Sequence, residues 1–167
     1  MKKTISLFII LLTLSSCKEY LSEKDLKYMP YKNGERLIFE NENLNLIDTI
    51  IISNLEKFIP DGPQLHFNET IIAKTGESYL VRINAGYGKN SDSYLEIEGL
   101  IGKFYLEDFE KLKKHKLEYE GKTIYDVIIL KTEKEGNSRI KKVYWSISEG
   151  IIKYETKKGN IWKIKNE

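Results

Sequence analysis

Between Ser78 and Tyr87 the residues Tyr79, Val81, Ile83, Ala85 and Tyr87 alternate with Leu80, Arg82, Asn84 and Gly86. A period of two puts the first set on one side of an extended chain and the second on the other, the pattern of a half-buried β-strand. The same pattern returns near the C-terminus. Val143, Trp145 and Ile147 alternate with Lys142, Tyr144 and Ser146, and Ile152, Tyr154 and Thr156 alternate with Ile151, Lys153 and Glu155. Ser148-Glu149-Gly150 separates these stretches and Lys157-Lys158-Gly159-Asn160 follows the second, both short and glycine-bearing as hairpin connections require. With Ile161 to Lys165 as its last member, the C-terminal part reads as a three-stranded meander.

Further strands are expected over Arg36 to Glu40, Leu46 to Ser53, Leu65 to Lys74 and Tyr94 to Leu106. Asparagine-rich, Pro60-Asp61-Gly62-Pro63, Thr75-Gly76-Glu77 and Gly88 to Asp92 breaks divide them. Gly99 and Gly102 inside the fourth predict a bulge or a bend. Leu117 to Glu120 and Thr123 to Thr132 pair around Gly121-Lys122. Apolar residues on both faces of the second member, Tyr125, Val127 and Ile129 against Ile124, Ile128 and Leu130, predict a central strand covered on both sides. Only Leu106 to His115 has helical spacing, through Leu106, Phe109 and Leu112, and so short a helix needs a sheet to pack on. A helical turn over Asn54 to Phe58 would be stopped by Pro60. The expected fold is therefore mainly β: a single curved antiparallel sheet or open barrel of about nine or ten strands with one short helix.

Met1, Lys2 and Lys3 open the chain with positive charge, and Ile5 to Leu14 is an apolar run broken by Ser6 and Thr13. Ser15, Ser16 and Cys17, the one cysteine, close it. This is the layout of a secretory signal peptide, and the run falls short of the ~20 apolar residues that a spanning helix needs. Leu14-Ser15-Ser16-Cys17 also resembles the lipobox of bacterial lipoproteins. In that family the cysteine sulfur is diacylated, cleavage occurs just before it, and the new amino group usually receives a third acyl chain. The resemblance implies residues 1–16 as signal peptide and Cys17 as the lipidated N-terminus of a protein held to a membrane of the cell envelope, the outer membrane being favoured. Acyl chains anchor stably when there are two or more, at about 0.8 kcal/mol per buried CH₂. Lys18-Glu19-Tyr20 has one acidic residue, short of the acidic cluster that follows the cysteine in surface-exported lipoproteins of Bacteroidota, and the leaflet stays open.

Without Lys2 and Lys3, 25 of the 27 basic residues face 25 acidic ones, so the remainder is formally neutral and lacks the basic footprint of nucleic-acid binding. It is long enough for one domain with its own core. Polar residues 17–33 read as a lipidated tether and residues 34–167 as the β-rich domain.

Tyr28 to Phe39, with Pro30 and Gly34 ahead of the first strand, together with Asp48-Thr49-Ile50 and the closing stretch from Val143 to Trp162, resemble uncharacterised envelope lipoproteins of Bacteroidota. That resemblance implies a strongly curved antiparallel sheet, similar in outline to the half-barrels of lipoprotein carriers and outer-membrane lipoprotein receptors. Its concave apolar surface would hold an acyl chain or a peptide. Asp48-Thr49-Ile50 also resembles the Asp-Thr-aliphatic acceptor of O-glycosylation in that group, with Thr49 as the modified residue.

Motifs of catalysis are sparse. His66 and His115 are far apart and have no metal-ligand spacing, so they read as surface or rim residues, with no metal and no cofactor implied. Gly86-Tyr87-Gly88-Lys89-Asn90-Ser91 begins like a phosphate loop but lacks the third glycine and a following helix, and reads as a β-turn. Glu96 and Glu98, or Glu107 and Asp108, supply carboxylates for acid and base work, although two on one strand face most simply form a solvated surface.

The richest resource is aromatic, with 11 tyrosines and two tryptophans. Tyr79, Tyr87, Tyr125, Tyr144, Trp145, Tyr154 and Trp162 fall in expected strands, where each serves either the core or a ligand groove. The expected function is a noncatalytic envelope lipoprotein binding an apolar or peptidic ligand on a concave sheet. The alternatives are an interaction or scaffold module that receives a partner strand at a sheet edge, and a hydrolase of envelope polymers, which needs two carboxylates across a cleft.

Overall fold

The computed structural model describes residues 17–60, 66–86, 92–119, 121–132 and 139–165. In chain order these residues form β1 (Cys17–Glu19), α1 (Glu23–Leu26), β2 (Arg36–Asn41), β3 (Leu46–Ile51), β4 (Asn54–Phe58), β5 (His66–Asn68), β6 (Thr70–Thr75) and β7 (Ser78–Asn84). They continue with β8 (Tyr94–Ile97), β9 (Phe104–Tyr105), α2 (Leu106–Lys111), β10 (His115–Tyr119), β11 (Lys122–Lys131), β12 (Ile140–Ser146), β13 (Gly150–Thr156) and β14 (Ile161–Lys165). The protein is mainly β. Seven strands form one antiparallel sheet in the order β10-β11-β12-β13-β14-β2-β3, five form another in the order β4-β6-β7-β8-β9, and β1 pairs with β5 in parallel.

The expectation of a single sheet or open barrel with nine or ten strands and one helix is corrected by this division. The break lies at Ile52 and Ser53. Ile52 is fully buried and exchanges hydrogen bonds with the chain before β2, its N–H donating to Glu35 O at 2.8 Å and its carbonyl accepting from Gly34 N at 2.8 Å. Ser53 N then donates to Lys74 O at 2.9 Å, in the other sheet. The strand expected to run to Ser53 thus ends at Ile51, and Asn54–Phe58, expected as a helical turn, is β4 paired with β6. Five residues cannot repay helix nucleation, whereas a neighbouring edge offers a ladder at once. The second helix also ends early. Leu112 turns extended (φ −69°, ψ 145°), so α2 stops at Lys111, and His115 opens β10 instead of closing the helix.

Two elements match the sequence closely. The β12-β13-β14 meander and the β10–β11 hairpin lie where alternation and glycine turns place them. Gly150 and Gly159 take positive φ values of 75° and 84°, as their turns demand.

The two sheets share one apolar core. The five-stranded sheet contributes cross-strand rows such as Ala73, Val81 and Ile97, and the seven-stranded sheet contributes Phe39, Val143, Trp145 and Ile151. Bulges adjust which side chains point inward. In β7 the register steps from Val81 to Tyr79 against consecutive residues of β6, which makes Leu80 an inserted residue and buries it beside Val81. In β13 the same irregularity separates Ile151, in the main core, from Ile152, which joins Ile124 and Val127 in a second small cluster. β11 lies between β10 and β12, with Ile128 and Leu130 in the main core and Ile124 and Val127 in the second.

The expected tether is the largest departure. Ser22 and Asp25 form a capping box, Asp25 N donating to Ser22 Oγ at 3.2 Å and Ser22 N to Asp25 Oδ2 at 2.9 Å, which starts the single turn of α1. The chain then delivers Tyr28, Met29 and Tyr31 into the main core together with Leu21. Leu21 N donates to Glu69 Oε2 at 3.0 Å, and the same carboxylate pairs with Lys57 at 3.2 Å. Residues 21–31 are therefore part of the body and not a free tether, because four large apolar side chains gain more from burial than the segment gains from motion.

Candidate functional site

Beside Val143 and Ile151 a cleft of about 720 Å³ is lined by residues of both sheets. That volume lies within the range of small-molecule and short-peptide sites. Phe39, Val143, Ile151, Tyr154 and Trp162 of the seven-stranded sheet line it, and Ile50 of β3 adds a rim. Leu80, the residue inserted by the β7 bulge, and Glu98-Gly99 face them from the other sheet.

Local interactions hold these walls. The β6–β7 turn is fastened to the end of β3 by Gly76 N donating to Ser53 Oγ at 3.2 Å. Gly99 has φ +75°, and its carbonyl accepts from Ile140 N at 3.3 Å, joining the end of β8 to the start of β12. A Cβ at Gly99 would lie 3.3 Å from Ile140 Cδ1, a tight but yielding contact, and the positive φ is what favours glycine here. Ser78 Oγ donates to Glu98 Oε1 at 2.8 Å and engages that carboxylate.

Besides Glu98, the charged groups of the cleft are one acid and one base at its exposed rim. Asp48 pairs across the ladder with Phe39, so the two side chains share the inner face, and Arg139 stands just before β12. Neither forms an ion pair among the described residues. Both act on the Tyr154 phenol. Burial pushes its pKa up to about 12, with Asp48 adding to the rise and Arg139 opposing it.

The aromatic candidates scatter. Tyr154 and Trp162 meet in the cleft, stacked with ring centroids 6.0 Å apart at 10°. Trp145 is fully buried in the core and meets Tyr31 edge-on at 6.1 Å. Tyr144 faces away from the cleft, its hydroxyl donating to Glu155 Oε1 at 2.7 Å and its ring flanked by Lys142 and Lys153. Tyr125 is 70% exposed beside the β11 bulge. Tyr79 lines a shallower groove with Ile101, Lys103 and Tyr105, its ring covered by the Arg82 guanidinium at 4.9 Å. Tyr87 lies outside the described residues. Cys17 opens β1, opposite His66 of β5.

Sequence reasoning missed Asp48 as a cleft residue, and also Leu80, Glu98 and Arg139. Asp48 had a signal, being the one charged residue of its strand. Leu80 had none, because its inward direction comes from a bulge. Among the described residues no group of three or more His, Cys, Asp or Glu side chains is placed to hold a metal ion, and no helix is long and apolar enough to cross a membrane. Compared with known proteins, the chain matches no family model, no curated protein and no solved structure.

Proposed function

We propose that this protein is a noncatalytic lipoprotein of the cell envelope, anchored in the outer membrane by acyl chains on Cys17, and that its cleft takes up an elongated apolar or peptidic ligand. The observation that carries the reading is the cleft itself: a space of about 720 Å³ walled in part by Phe39, Val143, Ile151, Tyr154 and Trp162, with an acid and a base at its rim that form no ion pair among the described residues. Apolar walls supply affinity by removing ligand surface from water, and the few polar groups set its orientation. The lipobox-like Leu14-Ser15-Ser16-Cys17 supports the anchor. With Leu21 already in the core, an acylated Cys17 would hold the body directly against the bilayer.

Two measurements test the two halves separately. The mass of the mature N-terminus should be that of an acylated Cys17, and Cys17→Ala should leave the membrane fraction; an unmodified Cys17 overturns the anchor. Palmitate or a short apolar peptide should change the emission of Trp162, read as the difference between the native protein and Trp162→Phe. Silence toward both ligands overturns the cleft.

A further inference from the structure

We propose that the ligand is an extended segment of another polypeptide, added as a new strand along the free edge of β3 with alternate side chains entering the cleft; this rests on the cleft reading above. A comparison of the sheet edges leads there. β10, at the opposite edge of the same sheet, carries Lys116 and Glu118 and an irregular register. β4 carries Glu56 and Lys57, each held in an ion pair, and β9 has only two residues. Charge, irregularity and shortness are the usual means of keeping an edge from pairing. β3 has none of them in full. It runs six residues, Leu-Ile-Asp-Thr-Ile-Ile, in unbroken register with β2, without lysine, arginine or proline. Leu46, Ile47 and Ile51 are 49%, 63% and 52% exposed, and among the described residues β3 has a strand on one side only.

The chemistry of this edge selects the occupant. An acyl chain can cover isoleucines but cannot satisfy a row of outward N–H and C=O groups, whereas a polypeptide strand does both. Charge then separates a foreign strand from a second copy. A second copy's β3 would bring a carboxylate but no lysine or arginine to face the Asp48 already there, since residues 46–51 contain none, and like charges on facing strands repel. The fitting partner carries a lysine or arginine toward Asp48 and a carboxylate toward Arg139, among alternating apolar residues.

The test uses the full domain and short synthetic peptides that alternate valine with threonine, with one central lysine and a free C-terminal carboxylate. Such a peptide should slow amide hydrogen exchange within Leu46–Ile51 by about tenfold or more, and its counterpart N-methylated at alternate amides should not. Ile47→Lys, at an exposed position outside the cleft lining, should weaken the peptide about tenfold and leave the Trp162 response to palmitate unchanged. A palmitate response with no peptide protection of β3 overturns strand addition while the cleft reading stands. Loss of both responses overturns the two together. Protection of β3 that grows with protein concentration in the absence of peptide assigns the edge to a second copy and overturns the choice of partner.

Discussion

Tyr31 and Tyr154 mark two halves of the same inner face, and the halves have opposite fates. Under the first, the N-terminal segment crosses the sheet and fills the space: Tyr31 packs edge-on against Trp145, and its hydroxyl accepts the Ile151 N–H at 2.9 Å. Gly150 makes this possible, for its missing Cβ leaves the volume that the Tyr31 ring occupies. Under the second half no described segment returns, and Tyr154 and Trp162 stack at the wall of the cleft. Both halves are built from aromatic residues on alternating strands. What separates a core from a site is whether another piece of chain lies over them.

The widest gap between the halves is expected on removing their tryptophans. Trp145→Ala should cost about 3–5 kcal/mol in denaturant titration, whereas Trp162→Ala, at the cleft wall, should cost below about 1.5 kcal/mol. Equal losses would erase the distinction. Next in size is Gly150→Ala. Its φ of +75° disfavours a side chain, and the new Cβ would lie 2.8 Å from Tyr31 Cε1, so about 2–4 kcal/mol is expected. Tyr31→Ala in the same chain should recover part of that cost, and strict additivity of the two changes would show that they do not meet. A smaller effect is expected of Tyr31→Phe, which keeps the ring but strands the buried Ile151 N–H, at about 1–3 kcal/mol by the same titration.

The smallest expected effect is a titration. Burial raises the Tyr31 phenol pKa above that of Tyr154, which is itself pushed up to about 12 from an ordinary value near 10. A pKa raised in the folded state favours the protonated phenol, so both contributions are fully present below pH 10 and are lost as pH climbs through the folded values. Tyrosinate absorbance should therefore show Tyr154 ionising before Tyr31, resolved by Tyr154→Phe. Asp48→Asn should lower the Tyr154 transition and leave Tyr31 alone; the reverse would mean that Asp48 does not face the cleft.

Much of the framework could be read from residues close in sequence. The alternation that begins at Ser78 became β7, which ends at Asn84, and the glycine turns before Ile151 and Ile161 closed the meander at the expected places. Of the aromatic candidates, Tyr154 and Trp162 reach the cleft. Trp145 does not, although its pattern along the strand is the same, because Tyr31 covers it from more than a hundred residues away. The polar look of residues 17–33 concealed Leu21, Tyr28, Met29 and Tyr31, whose burial depends on a partner surface that a local reading does not contain. Leu80 alternates onto the polar side of its strand on paper and faces the cleft in fact, since one inserted residue reverses the pleat.

Side-chain period and turn chemistry act over a few residues, so the chain's own order was enough to determine a mainly β protein with its C-terminal meander and hairpins. The division into two sheets, the burial of the N-terminal segment and the position of the cleft were decided by tertiary structure. Each depends on which distant surfaces meet and which stay uncovered, and that balance of burial against chain entropy is settled only when the whole chain packs.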